Sequence, residues 1–239
     1  MLLKANAKSV FLFAIFFAVV LRSSAQAIVA INDTESIRES NSKLFGLYAL
    51  ASPIDQLIKL PPYKGVKDIE ISREAKTHNM DVTPHANTRD SYIAKTVASA
   101  DLIVVGEPTA RNSAFTEGRR FIFSDYTIAV NSVTWSQGVT VLPGQNIIVS
   151  RAGGILAVDG RTVRATVSNF PPFEIKDTYL MFLRILPNGS FLVFAEGAFD
   201  ISGNEIPAET VGRVKHPIST KEFLEDTAQA ISRIYKEGK

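Results

Sequence analysis

The chain has 239 residues, 46% of them hydrophobic, with 26 basic and 24 acidic side chains and no cysteine. This is enough chain and enough apolar content for one domain of ordinary size with its own core. The lack of cysteine excludes disulfides, thiol catalysis, cysteine-ligated zinc and iron–sulfur clusters.

Residues 1–27 read as a cleavable secretory signal peptide. Lys4 and Lys8 give a basic start, residues 10–21 are an unbroken apolar run, and Ala25-Gln26-Ala27 supplies the small-x-small cleavage pattern. Ser23-Ser24-Ala25 fits the same pattern. The alternative is an uncleaved N-terminal membrane anchor, but a bilayer core requires about 20 apolar residues of helix, more than this run provides. A secreted or periplasmic location is therefore expected. The segment carries three of the basic residues (Lys4, Lys8, Arg22) and no acid, so the remainder has 23 basic against 24 acidic side chains, a formal net charge of −1. A near-neutral chain has no net drive towards nucleic acid or anionic membrane. The expected partner is an unknown protein or small ligand outside the cytoplasm, with no nucleic acid, no cofactor and no stable membrane insertion after cleavage.

Residues 28–87 read as an irregular arm lying on the main domain. Pro53, Pro61, Pro62 and Pro84 interrupt it, and polar clusters such as Asn32-Asp33-Thr34-Glu35-Ser36 intervene. Within it, residues 44–50 and 57–60 are predicted to form single helical turns.

Residues 88–213 are predicted to form a β-barrel domain with a leading helix. That helix is expected over 88–100, capped by Thr88 or Asp90, with Tyr92, Ile93, Val97 and Ala100 at helical spacing. Residues 102–106 then read as a buried strand. From there to about residue 206 the hydrophobic period is two. Phe121 and Phe123 fall on odd positions, Tyr126, Ile128 and Val130 on even ones, and Val133 and Trp135 on odd ones again. A one-residue slip moves every side chain to the other face. The pattern therefore predicts one long strand with bulges near Ser124-Asp125 and Asn131-Ser132. Such bulges bend a strand as closure of a small barrel requires.

Turn signals divide the remaining strands. Pro143-Gly144 precedes a strand over 146–150, Gly153-Gly154 lets the chain turn, and Asp159-Gly160 marks a hairpin between 155–158 and 161–167. Asn188-Gly189 predicts a type I′ turn pairing Leu186 with Phe191, Ile185 with Leu192 and Leu183 with Phe194. Both faces of that hairpin are largely apolar, so something must cover the outer one. Residues 214–239 are the expected cover, an amphipathic helix packed on the barrel. Ser219 is its N-cap, with Glu222 at capping-box spacing, and Phe223, Leu224, Thr227, Ala228, Ile231, Ile234 and Tyr235 form its apolar stripe. The expected fold is thus mainly β with flanking helices. Its centre is a small closed or partly open antiparallel β-barrel, with one helix before the first strand and one C-terminal helix.

The chain carries no nucleophile elbow, zinc-protease helix, P-loop or dinucleotide fingerprint. Two candidate sets remain. In the expected register Glu196 opposes Met181 and shares a face with Leu192 and Phe194, and Asp200 lies on the same side. A carboxylate is costly to bury unpaired, and two at a barrel mouth could perform acid–base work. The alternative is that the hairpin ends near Gly197 and both acids are solvated. His78, Asp81 and His85 have metal-ligand chemistry, although their spacing matches no common site and a solvated loop is the alternative. Trp135 reads as a packing residue, the alternative being an exposed ring that stacks on a sugar.

Residues Ala100-Asp-Leu-Ile-Val-Val-Gly106, Asp125-Tyr-Thr-Ile-Ala-Val130, Arg151-Ala-Gly-Gly154, Pro171-Pro-Phe173 and Thr178-Tyr-Leu-Met-Phe-Leu183 together resemble a class of uncharacterised secreted bacterial proteins. The resemblance covers roughly residues 95–200. It implies a small OB-like or netrin-like β-barrel and no activity. The netrin-like pattern depends on cysteines that this chain lacks, so protease inhibition does not carry over. The functional expectation is an exported non-catalytic binding or interaction module. The alternatives are a secreted hydrolase using Glu196 and Asp200 or a weak metal site, and a structural envelope component.

Overall fold

The computed structural model describes residues 34–73, 89–168, 170–207 and 217–236, without the side chains of 34, 194–196 and 236. The predicted signal segment lies outside the described residues. In chain order the elements are α1 (Thr34–Leu44), a 3-10 turn (Phe45–Tyr48), the short helix α2 (Ile54–Leu57), β1 (Asp68–Arg73) and α3 (Arg89–Ser99). There follow β2 (Leu102–Phe115), β3 (Ile122–Ser136), β4 (Asn146–Ala152), β5 (Gly154–Val158) and β6 (Arg161–Val167). The chain continues through β7 (Tyr179–Ile185), β8 (Phe191–Asp200), β9 (Glu205–Ile206), β10 (Ile218–Ser219) and α4 (Thr220–Lys236).

The expected small barrel with flanking helices is present. Its strands run in the order β2-β3-β4-β8-β7, and β7 closes on β2. Four of its seams are antiparallel. The fifth, β4 with β8, is parallel and holds only the pairs Val149–Phe191 and Ser150–Leu192. The chain leaves β4 through Gly153, makes the β5–β6 hairpin outside the barrel, and returns as β7. A further parallel pair, β1 with β6, extends that hairpin into a three-stranded sheet. At its turn Asp159 and Gly160 both take positive φ (49° and 74°), the geometry that their residue types predict.

The long β2–β3 ladder bulges as expected near Asn131, where the register shifts between Val105 and Gly106. The bulge predicted near Ser124-Asp125 is absent: Ala114–Phe123, Ser113–Ser124 and Asn112–Asp125 pair in regular steps. The apparent change of phase has another cause, because both faces of β3 are covered there. Phe121 stacks on Tyr48 and Phe123 on Phe45, with ring centroids 5.7 and 5.4 Å apart. Tyr126 and Ile128, on the opposite face, are equally buried.

The covering residues come from the expected irregular arm, whose described part is more regular than predicted. The first single turn falls where expected, the second comes earlier (Ile54–Leu57 rather than 57–60), and α1 and β1 were not anticipated. In α1, Ile37 and Asn41 lie one turn apart, Phe45 follows one turn later, and all three are buried. The polar Asn41 in the middle of this stripe hides it from a hydrophobic pattern.

The β7–β8 turn corrects the predicted register. Gly189 N donates to Leu186 O, Leu186 N donates to Ser190 O, and Gly189 has φ of 81° while Asn188 does not have positive φ. This is a type I turn centred on Pro187-Asn188, followed by a glycine bulge. Pro187 decides it, since its fixed φ suits the second position of a type I turn. Phe191 therefore pairs with Ile185 and Val193 with Leu183, one residue off the expected register. A second shift follows between Leu183 and Met181, so that Met181 pairs with Ala198 rather than with Glu196.

α3 and α4 cover the outer face of the β2–β7–β8 wall, burying Phe182 and Phe199 against Tyr92, Val97 and Phe223. Ser219 Oγ accepts from Glu222 N at 3.2 Å, as an N-cap should. In the buried stripe of α4, Ala230 is buried and the predicted Ala228 is exposed. Trp135 packs as expected, stacked on Tyr235 at 4.1 Å. Among the described residues no helix is long and apolar enough to cross a membrane.

Candidate functional site

The barrel opens where its short seam ends. After Ser150 and Leu192, β4 and β8 cease to pair. On one side Gly153, at φ 94°, turns the chain into β5. On the other, residues 194–197 of β8 lie opposite Phe182 alone because of the register shift. Bulges of this kind commonly re-aim strands beside binding sites. The resulting wedge holds a cavity of about 590 Å³, bounded by Arg151, Phe170, Phe173, Tyr179 and Phe199, with Pro171, Pro172, Ala198, Gly203 and Pro207 completing its wall. Glu174, Asp200 and Glu205 also border it, and all three are exposed.

Arg151 forms the cavity floor and is 2% exposed. Its Nη2 donates to Phe170 O at 2.7 Å. The centre of the guanidinium lies 3.6 Å from the Phe170 ring centroid and 4.6 Å from that of Phe173. Phe173 in turn packs on Tyr126 and Tyr179, at 4.9 and 4.8 Å. No carboxylate among the described residues forms an ion pair with Arg151. Burial lowers its pKa to about 10, so the group remains cationic at neutral pH. An isolated buried charge costs several kcal/mol unless something compensates it, and the aromatic faces do so only in part. Tyr179 is pushed up to about 12, chiefly by burial, and stays neutral. Its hydroxyl accepts from Glu174 N at 3.0 Å, which fixes the loop over the cavity.

Of the acid–base candidates, Asp200 lies at this mouth. Its Oδ1 accepts from Ser202 N at 2.8 Å, closing a tight turn. Glu196 belongs to the shifted part of β8, and its side chain lies outside the described residues. So do all of His78, Asp81 and His85. Among the described residues no cluster of His, Asp or Glu could hold a metal ion.

The chain matches no protein-family model and no curated relative.

Arg151 is not among the candidates named from the sequence. A usable signal was present: an arginine inside an otherwise apolar or small-residue strand, Ile147-Ile-Val-Ser-Arg-Ala152, has no way to reach water if both strand faces are covered. The Pro171-Pro172-Phe173 run marked the loop that covers it.

Proposed function

We propose that this chain is an exported, non-catalytic binding module whose ligand enters the barrel mouth between β4 and β8. The observation that carries the reading is Arg151, a buried cation without a counter-ion among the described residues, at the floor of a cavity of small-molecule size. Fixed aromatic walls and few convergent polar groups are what ligand recognition requires. The signal-like residues 1–27 support export. The strand order supports the OB-like resemblance: counted along the chain, the five barrel strands run 1-2-3-5-4, with the third and fifth parallel, as in OB barrels. OB barrels are binding scaffolds, and the near-neutral charge of the chain favours a small ligand or protein over nucleic acid.

The test is a small-molecule fragment screen against the purified mature chain, read by amide NMR shifts. Saturable shifts confined to Ala198, Gly203 and the 170–179 loop are expected. Hydrolytic activity abolished by Glu196→Gln would overturn the reading in favour of an enzyme.

A further inference from the structure

We infer that the barrel-mouth cavity takes a small zwitterion, its carboxylate on Arg151 and its ammonium among Glu174, Asp200 and Glu205. This inference rests on the proposed binding role and names the ligand class for that same site.

A guanidinium has five N–H donors in one plane. Phe170 O takes one of them, and the Phe170 ring covers a face of the group. What remains for a ligand is the edge of the plane, where two parallel donors match the two oxygens of a carboxylate. Such a pair supplies the counter-charge that the buried cation lacks. The aromatic packing prepares it in advance, because Phe170 and Phe173 hold the plane before any ligand arrives.

The exposed rim of the cavity carries the opposite sign. Glu174, Asp200 and Glu205 all border it and all are exposed. Together they repel a ligand that is only anionic and attract one with a cationic tail. The rest of the wall is apolar, made by Phe170, Pro171, Pro172, Phe199 and Pro207. A carboxylate, an apolar spacer and an ammonium match the buried cation, the apolar wall and the exposed acids.

Four probes of one length separate the contributions: 6-aminohexanoate, hexanoate, hexylamine and 1-hexanol, titrated into the purified mature chain and followed by NMR. The expected result is saturable binding of 6-aminohexanoate, with shifts at the Arg151 Nε–H and at the Ala198 and Gly203 amides. Hexanoate should bind about tenfold more weakly and the other two more weakly still, tenfold corresponding to about 1.4 kcal/mol. Arg151→Lys should weaken the zwitterion at least about tenfold, because the bidentate fork is lost. The double variant Glu174→Gln/Glu205→Gln changes only exposed side chains, so it tests the rim even if Arg151→Lys fails to fold. It should weaken 6-aminohexanoate and strengthen hexanoate. Binding of hexylamine or hexanol as tight as that of the zwitterion overturns this inference while leaving a binding cavity. The absence of shifts with all four probes overturns both.

Discussion

Asp125 on β3 and Ser150 on β4 are direct cross-strand partners, and the Ser150 hydroxyl donates to Asp125 Oδ1 at 2.6 Å. The same carboxylate oxygen accepts from Asn41 Nδ2 at 3.0 Å, and Asn188 Nδ2 donates to Asn41 Oδ1 at 3.1 Å. One polar chain thus joins α1, two barrel strands and the β7–β8 turn. Ser150 and Arg151 are neighbours on β4 and point to opposite faces, so this network lies on the other side of the strand from the cavity.

Asn41 is fully buried and uses both ends of its amide. Asn41→Ala should cost about 2–3 kcal/mol, since it strands buried partners on two elements. Urea unfolding gives the magnitude. Hydrogen exchange of α1 should rise more than that of β3, and uniform loss of protection would contradict the role assigned to the network.

Burial raises the pKa of Asp125 above its ordinary value, while hydrogen bonds from Ser150 and Asn41 and the charge of Arg38 oppose the rise. The folded chain therefore binds this proton more tightly than the unfolded chain does. Its contribution to stability is complete below the unfolded pKa and is lost as pH rises through the folded value. Asp125→Asn should remove that dependence, so its stability relative to the parent should improve from pH 3.5 to pH 7. A stability difference constant over this range, measured by urea unfolding, would show that the carboxylate is not desolvated.

A Cβ on Gly154 would meet Ser124 Oγ, as well as Ser113 Oγ at 2.7 Å and Ile122 Cγ2 at 2.9 Å. Gly154→Ala should therefore destabilise by about 1–3 kcal/mol through overpacking. The cost should be smaller in a Ser113→Ala/Ser124→Ala background, where both obstructing hydroxyls are gone. Additive costs in this double-mutant cycle would place the strain elsewhere.

The single tryptophan of the chain, Trp135, reports on α4 through its stack with Tyr235. Tyr235→Phe should keep the stack and lose the hydrogen bond to Val97 O, at a cost of about 0.5–1.5 kcal/mol. Tyr235→Ala should also shift the Trp135 emission to the red as the indole gains water. Unchanged emission in the alanine variant would mean that the ring is shielded without α4.

Arg151→Met exchanges an unpaired buried cation for an apolar side chain of similar length. Such exchanges are often neutral or stabilising, and global stability should stay within about 1 kcal/mol of the parent while ligand binding is lost. A loss above about 3 kcal/mol would make the arginine a structural post holding the 170–173 loop.

The barrel, its leading helix and its C-terminal cover were legible because each rests on a local period or cap, such as Tyr92 and Val97 on one helix face or Ser219 ahead of Glu222. The Asp159-Gly160 turn was legible because both residues accept positive φ. The β7–β8 register was misread through a single residue, Pro187, whose ring shifts the turn by one position. α1 was missed because Asn41 is buried for its hydrogen bonds rather than for apolar area. The cavity was invisible for a different reason. It arises where β4 and β8 stop pairing, and a parallel seam between distant strands leaves no mark in either strand alone.

That seam, with the other long-range ties, bears on how the chain reaches its final form. The backbone carbonyl of Arg73 accepts from the Ser168 hydroxyl 95 positions later, and Asn41 meets Asn188 after 147. Native pairings this remote demand large loop closures before they give any stability in return, so folding should be slow for a domain of this size. During synthesis α1 and β1 emerge long before the strands and turn that complete them. Until Phe121 and β3 follow, the aromatic rings of Tyr48 and Phe45 lack their native partners, and the edge of β1 waits longer still, for β6. A holding chaperone would find its substrate in that first segment.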